Sequence, residues 1–327
     1  MTFIHPIIRI HSFVPELCKC FIFNWCRRKV VLCHNRKANA KKNDQIIFHV
    51  LYVGISKVHN IFSDCCTFIG VKKLYKFLLN KLPRPLLIRL SYIFKFFAPI
   101  LYRGSAVECS VCERSFSKFL SYGSQVAHRE NVLCPYDLTL ERHRLMWLYL
   151  KRETDFFTSP KLKVLHIAPE QCFLPHFKQQ KNLDYMTADL VSPIADMHFD
   201  LHDIPLEDNK YDVVFCNHVM EHVDDPIRCM SELQRVMRPG GWAIMQVPQD
   251  VTRKETYEDA SITSPSEREK HFWQKDHVRL FGLDYPQWLK KAGFTVDEFD
   301  MNKAWEPTEV ERFRLMSKEI LYVAKKY

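Results

Sequence analysis

Lys210-Tyr-Asp-Val-Val-Phe-Cys216, then Asn217-His-Val-Met-Glu-His222-Val, then Val236-Met-Arg-Pro-Gly-Gly241, carry the strongest structural signal in the chain. Tyr211 to Cys216 is a short apolar run with an adjacent valine pair, the pattern of a strand buried on both faces inside a parallel sheet. A helix is expected from about Pro226 to Met237, stopped by Pro239-Gly240-Gly241, with Trp242-Ala-Ile-Met-Gln-Val247 as the next strand.

Upstream, Lys163-Val-Leu-His-Ile-Ala168 follows Ser159-Pro160 and ends in Pro169-Glu170, which reads as a strand and its turn. Leu183-Asp-Tyr-Met-Thr-Ala-Asp189-Leu190 is a second strand with a carboxylate at its end, at the separation where nucleotide-binding folds use an acid to hold ribose hydroxyls. His198 to Leu206 adds another acid, Asp200, beside Leu201. Downstream, a helix over Asp284 to Ala292, a strand from Gly293 to Phe299 and a last strand from Glu319 to Ala324 complete seven strands. Alternating strands and helices imply an α/β, Rossmann-like, parallel, doubly wound sheet. Ligands of such sheets lie at the carboxyl ends of strands, which puts Asn217 and His218 on the functional rim.

Leu206 to Val247, with Glu207-Asp-Asn-Lys-Tyr-Asp212, the Asn217–Val223 segment and Val236–Gly241, resembles the class I methyltransferase family, specifically its type 11 group. The likeness extends more weakly over about Lys161 to Tyr327. It implies that Asp189, with Leu190 beside it, binds the ribose of S-adenosylmethionine, that Asp200 and Leu201 contact adenine, and that Asn217 and His218 border the methyl end. The first loop departs from the family pattern. Where most relatives have an acid and a glycine-rich turn, this chain has His166-Ile-Ala168-Pro169-Glu170. Glycine there permits close backbone approach, so Ala168 and Pro169 are expected to make room through another turn geometry.

Methyl transfer from a sulfonium requires alignment and exclusion of water more than activation of the donor. A general base is useful when the acceptor is protonated, and histidine is the first candidate. His218 is the candidate at the rim. His277 and Arg279, in the polar stretch Lys270 to Phe281 after the fifth strand, are candidates for base and anion-holding group, with a charged segment that fastens a lid as the alternative. His222 is expected in a supporting role.

Cys109-Ser-Val-Cys112 and Cys134-Pro-Tyr-Asp137 have the paired layout of a zinc ribbon whose fourth ligand has become a carboxylate, which zinc accepts. His128 or His143 are alternative donors, and a degenerate ribbon held by packing is a further possibility. The module resembles that of bacterial methyltransferases with the same two-part layout. A helix follows from Asp137 to Lys151, opening with the cluster Glu141-Arg-His-Arg144, which reads as solvated or substrate-facing.

The chain divides into 1–70, a poorly defined extension read either as untranslated or as disordered; 71–105, a basic amphipathic segment; 106–140, the ribbon-like module; and 141–327, the methyltransferase domain with core motif 164–247. Ten Lys/Arg face three Asp/Glu in 1–70 and eight face none in 71–105, whereas 29 face 35 in 106–327. The basic leader therefore suits an anionic contact, lipid or nucleic acid. From Leu86, the residues Leu90, Ile93, Phe97 and Leu101 share one helical face, which suits peripheral membrane attachment or packing on the body. The run is too short and too charged for the ~20 apolar residues of a membrane span. No secretory signal is visible, and the six cysteines of the first 70 residues have no regular spacing, so a reduced, cytoplasmic protein is expected. Three functions follow: methyl transfer to a small-molecule acceptor, methyl transfer to RNA held by the ribbon and leader, or a non-catalytic module that retains the fold.

Overall fold

A computed structural model describes residues 96–123 and 128–327; the readings of 1–70 and of most of 71–105 lie outside the described residues. In chain order the elements begin with the strands of the Cys module, β1 (Arg103–Cys109), β2 (Arg114–Phe116), β3 (Leu120–Tyr122) and β4 (Arg129–Leu133). Then come α1 (Glu141–Arg152), β5 (Leu162–Ile167), α2 (Leu174–Lys178), β6 (Leu183–Asp189), β7 (Met197–His198), β8 (Tyr211–Cys216), α3 (Pro226–Val236) and β9 (Met237–Ile244). The chain continues through β10 (Tyr257–Glu258), α4 (Pro265–Phe272), β11 (Arg279–Leu280), α5 (Tyr285–Lys291), β12 (Thr295–Phe299), α6 (Met301–Ala304), α7 (Pro307–Arg312) and β13 (Leu321–Lys325).

Seven strands form one sheet in the order β12-β13-β9-β8-β5-β6-β7. All neighbours are parallel except β13, which runs antiparallel to both β12 and β9. The expected doubly wound sheet is therefore present, but β13 runs antiparallel where strand–helix alternation alone implies an all-parallel sheet. Every residue of β8 is buried, including the lone acid Asp212 of its otherwise apolar run, as a central strand requires. Asp225 caps α3 by accepting a 3.0 Å hydrogen bond from the Arg228 amide, and Pro226 occupies the first turn, where a missing N–H is harmless. Gly241, just past α3, leaves no room for a side chain, because a Cβ there would stand 2.9 Å from the Arg238 carbonyl oxygen.

One apolar layer packs α3 and α5 on the sheet through Met230, Leu233, Tyr285 and Leu289. The layer on the other face joins α1 and the Cys module to sheet residues Val164, Phe215, Ile244 and Val323. Each fully buried large side chain in these layers contributes about 1.5–3 kcal/mol of transfer free energy. Helix α1 begins at Glu141, four residues later than its sequence suggests, because the Asp137 carboxylate accepts from the Thr139 amide and hydroxyl and holds residues 137–139 in a side-chain-capped turn. Inside α1, the wholly buried Arg144 donates to the carbonyl oxygens of Val132, Thr139, Phe313 and Arg314. It also lies 4.5 Å above the Phe119 ring.

The described end of the basic segment is helical over 96–101. It buries Ala98 and Tyr102, while Phe96, Phe97 and Ile100 are exposed at 73%, 48% and 70%. Of the face expected from the sequence, Leu101 packs half-buried against the core while Phe97 stays exposed, and Ala98 and Tyr102 complete the buried side. Among the described residues no helix is long and apolar enough to cross a membrane.

Candidate functional site

The carboxyl ends of β5, β6 and β8 lie side by side and gather the residues that the sequence singles out. Ala168, just past β5, adopts φ +50°, the left-handed conformation glycine would take without cost, and its amide donates to the Ala188 carbonyl of β6 at 2.8 Å. The turn is thus made without glycine, with Ala168 in the left-handed region. Pro169 follows and delivers Glu170 back toward the sheet.

Glu170 is committed at both oxygens. Oε2 meets His166 Nε2 at 2.5 Å, and Oε1 accepts from Asn217 Nδ2 at 3.1 Å. Burial pushes the Glu170 carboxyl up, but the charge and hydrogen bond of His166 reverse this and hold it at about 2. The His166 ring is fully buried, with Nδ1 2.7 Å from the Tyr185 hydroxyl. His166 and Glu170 therefore shape the first loop from within rather than presenting open side chains at its surface.

Asp189 ends β6, and its Oδ1 accepts from the amides of Val191 and Ser192 at 2.9 and 2.7 Å, which fixes the carboxylate at the strand tip. Leu190 is exposed beside it, Leu201 is a buried apolar wall, and the mostly exposed Asp200 is held by the amide and ring of His202. Asn217 Oδ1 accepts from the Gln246 amide at 3.1 Å, while the His218 amide donates to the Gln246 carbonyl at 2.7 Å. This clamp holds His218 at φ +56°. Burial lowers the pKa of His218, assisted by the charge of Arg142, and its buried Nε2 has no hydrogen-bond partner.

Arg142 enters the site from α1 and was legible only as part of a charged cluster. Its charge acts on Glu170, His218 and His143, and its buried Nε has no hydrogen-bond partner. The other members of that cluster, Glu141, His143 and Arg144, are buried in the body rather than solvated.

His277 and Arg279 are buried next to this rim. Arg279 donates to the carbonyl oxygens of Met220, Val223 and Asp224 and to the Glu258 carboxylate. With its donors spent this way it is a fastener of the segment, not an open anion-holding group. His277 Nδ1 hydrogen bonds to the Phe272 carbonyl at 2.8 Å, and burial lowers its pKa to about 4. Its Nε2 points into the protein, 4.0 Å from Glu221 Oε1, so the ring faces Glu221. Glu221 escaped notice in the sequence, where it reads as one acid at a helix-like turn.

In the Cys module, Cys109, Cys112, Cys134 and Asp137 converge, with ligand atoms all within 4.8 Å of one another. Cys112 Sγ lies 3.9 Å from Cys134 Sγ, and Cys109 Sγ lies 3.2 Å from Asp137 Oδ2. Neither His128 nor His143 belongs to this group. Burial pushes the Asp137 carboxyl up to about 6, whereas hydrogen bonds from Cys112 and Cys134 outweigh burial at Cys109 and hold its thiol well below the ordinary value.

Residues 162–245 match the family described as methyltransferase domain, type 11. A curated protein from Streptomyces fradiae, described as a 37.1 kDa protein in a transposon, is 43% identical over 49 residues, 15% of this chain and 14% of that protein. The chain thus matches only a small part of that relative's length. Among solved structures, a SAM-dependent methyltransferase from Archaeoglobus fulgidus is 17% identical with a TM-score of 0.37, covering 56% of this chain and 93% of that one. The YcgJ protein from Bacillus subtilis is 12% identical with a TM-score of 0.36, covering 57% and 99%.

Proposed function

We propose that this chain, which carries a class I S-adenosylmethionine-dependent methyltransferase domain, transfers a methyl group to a small-molecule acceptor at the rim of β5, β6 and β8. The observation that carries the reading is the convergence of Asp189, the glycine-free Ala168 turn, Asn217 and His218 on adjacent strand ends. Asp189, fixed by two amides, holds the ribose hydroxyls, with Leu190 beside it. Leu201 forms the adenine wall with Asp200 at its edge, and the backbone of Ala168 and Pro169 faces the ligand. Arg142, a half-buried cation whose buried Nε has no hydrogen-bond partner, suits the carboxylate of the methionine end.

The bound sulfonium supplies an already electrophilic methyl. The chain's task is to align acceptor, methyl and sulfur and to exclude water. His218 is kept neutral by burial, with Nε2 without a partner, and so can take the proton that an alcohol, phenol or ammonium acceptor loses. The net negative charge of 106–327 favours a small acceptor over a phosphate polymer.

A structural zinc ion fits Cys109, Cys112, Cys134 and Asp137, since three thiol sulfurs and one carboxylate converge there. The exposed Phe96, Phe97 and Ile100, ahead of which lies the basic stretch of 71–95, support peripheral contact with an anionic membrane. Titration calorimetry with S-adenosylhomocysteine tests the central reading. Binding by the wild-type chain that is lost in Asp189→Ala and weakened in Arg142→Gln is expected; no binding by a folded wild-type chain would overturn it.

A further inference from the structure

Behind the rim, the neighbours Glu221 and His222 meet His277 from a distant part of the sequence, and the buried Glu221 carboxylate makes none of the hydrogen bonds that burial normally demands. Glu221 is fully interior, and neither carboxylate oxygen has a hydrogen-bond partner. An ionised carboxylate removed from water without donors is costly, and buried charges are ordinarily paired or bound to metal. Facing Glu221 Oε1 are His222 Nε2 at 3.9 Å and His277 Nε2 at 4.0 Å, and one ligand atom from each of the three residues lies within 4.8 Å of the other two.

The two imidazoles are oriented for donation of a lone pair. His222 Nδ1 is 3.2 Å from the Asp276 carbonyl oxygen, and His277 Nδ1 is 2.8 Å from the Phe272 carbonyl oxygen. A carbonyl only accepts, so each Nδ1 carries the proton, and in the neutral ring Nε2 is left as the basic nitrogen. Metal-bound histidines use this arrangement, giving the other ring N–H to a carbonyl or carboxylate that fixes tautomer and orientation. The rings meet edge to face with centroids 4.8 Å apart.

The two halves of the cluster are also locked together. Arg279 bonds Met220, Val223 and Asp224 on both sides of the Glu221–His222 pair, and the Val278 amide donates to the Glu221 carbonyl at 2.9 Å. Arg279, with its donors committed to these carbonyls, thereby fixes the segment carrying His277 against the one carrying Glu221.

From this geometry we infer that Glu221, His222 and His277 form a binding site for one divalent transition-metal ion, separate from the Cys module. Two imidazoles and a carboxylate suit zinc, cobalt, iron or manganese and leave further coordination positions open. Contraction of about half an ångström per ligand brings the donors to the spacing set by metal–ligand bonds of about 2.0–2.2 Å. His218 Nδ1 stands 3.5 Å from Glu221 Oε1, so the ion lies directly behind the rim histidine.

The test loads the metal-free, full-length chain with Co2+ and records hyperfine-shifted proton NMR. The Cys module supplies no imidazole, so it is silent in this readout. The expected result is two solvent-exchangeable, strongly shifted imidazole N–H resonances, from His222 and His277, in the wild type and in Cys112→Ser. One of them disappears in His277→Gln, and cobalt affinity falls at least about tenfold in Glu221→Gln. Absence of the pair from the folded, cobalt-saturated wild type overturns the inference without recourse to any variant, as does an unchanged spectrum in both site variants. S-adenosylhomocysteine binding plays no part in the readout, so failure of either reading is separable from failure of the other.

Discussion

Replacing Arg144 by methionine removes a guanidinium that is wholly buried and donates to four backbone carbonyls, at 2.9 and 3.0 Å to Val132 and Thr139 and at 2.7 and 3.1 Å to Phe313 and Arg314. A hydrogen bond to a charged group contributes roughly 1.5–3 kcal/mol, so a simple sum exceeds 6 kcal/mol. That sum overstates the loss, because methionine also abolishes the desolvation cost of the cation and refills part of the volume. A destabilisation of about 4 kcal/mol remains, the orphaned carbonyls contributing about 1 kcal/mol each. Arg152→Met is the control, since that side chain pairs with Glu309 through two hydrogen bonds but is one-third exposed. A surface pair of this kind contributes at most about 1 kcal/mol. Urea unfolding followed by tryptophan fluorescence measures both from midpoint and slope. A loss at Arg144 under about 1 kcal/mol, or no larger than at Arg152, would refute the claim that this guanidinium holds the module, α1 and the segment after α7 together.

Ala168→Gly removes the left-handed strain of an L-residue, about 1–2 kcal/mol, against an entropic cost of about 0.5–1 kcal/mol, so a small rise in melting temperature with S-adenosylhomocysteine affinity retained is expected from thermal unfolding and calorimetry. Cys112→Ser is expected to abolish zinc retention by the Cys module, read by elemental analysis of chain purified without chelator, and to lower the melting temperature; full zinc occupancy in the variant contradicts the ligand set. Burial raises the Glu319 carboxyl to about 7. A folded value above the unfolded one of about 4.3 contributes stability below pH 4 that is lost as pH rises toward 7. Glu319→Gln should therefore raise the melting temperature more at pH 8 than at pH 4.5, and an equal effect at both argues against the raised value.

The sheet was legible because its strands carry their burial in their own composition. Tyr211–Cys216 is apolar apart from Asp212 and shows no alternation, and Asp189 and Asn217 stand at the ends of such strands. Residues whose role depends on distant backbone were not legible. Nothing near Arg279 in sequence reveals that its donors are taken by carbonyls more than 50 positions away. Glu221 looked ordinary for the same reason, because His277 reaches it only through the fold. The start of α1 was misjudged because Asp137 bonds its own neighbours, an effect that competes with helix formation over a few residues. The four candidate ligands of the module stand out by spacing, and the structure brings those four side chains together.

The apolar layer that unites Phe116 and Leu133 of the Cys module with Trp147 of α1 and Val164 and Val323 of the sheet bears on how such a chain can change over time. A segment with its own closed interior can be exchanged between proteins as a cassette, because its loss exposes little of what remains. Here the boundary passes through shared interior, so deleting residues 106–140 would open apolar surface on the sheet side as well. Recombination that moves the cysteines would have to carry α1 and the segment around α6 and α7 with them, and drift on either side of the seam is constrained by the other.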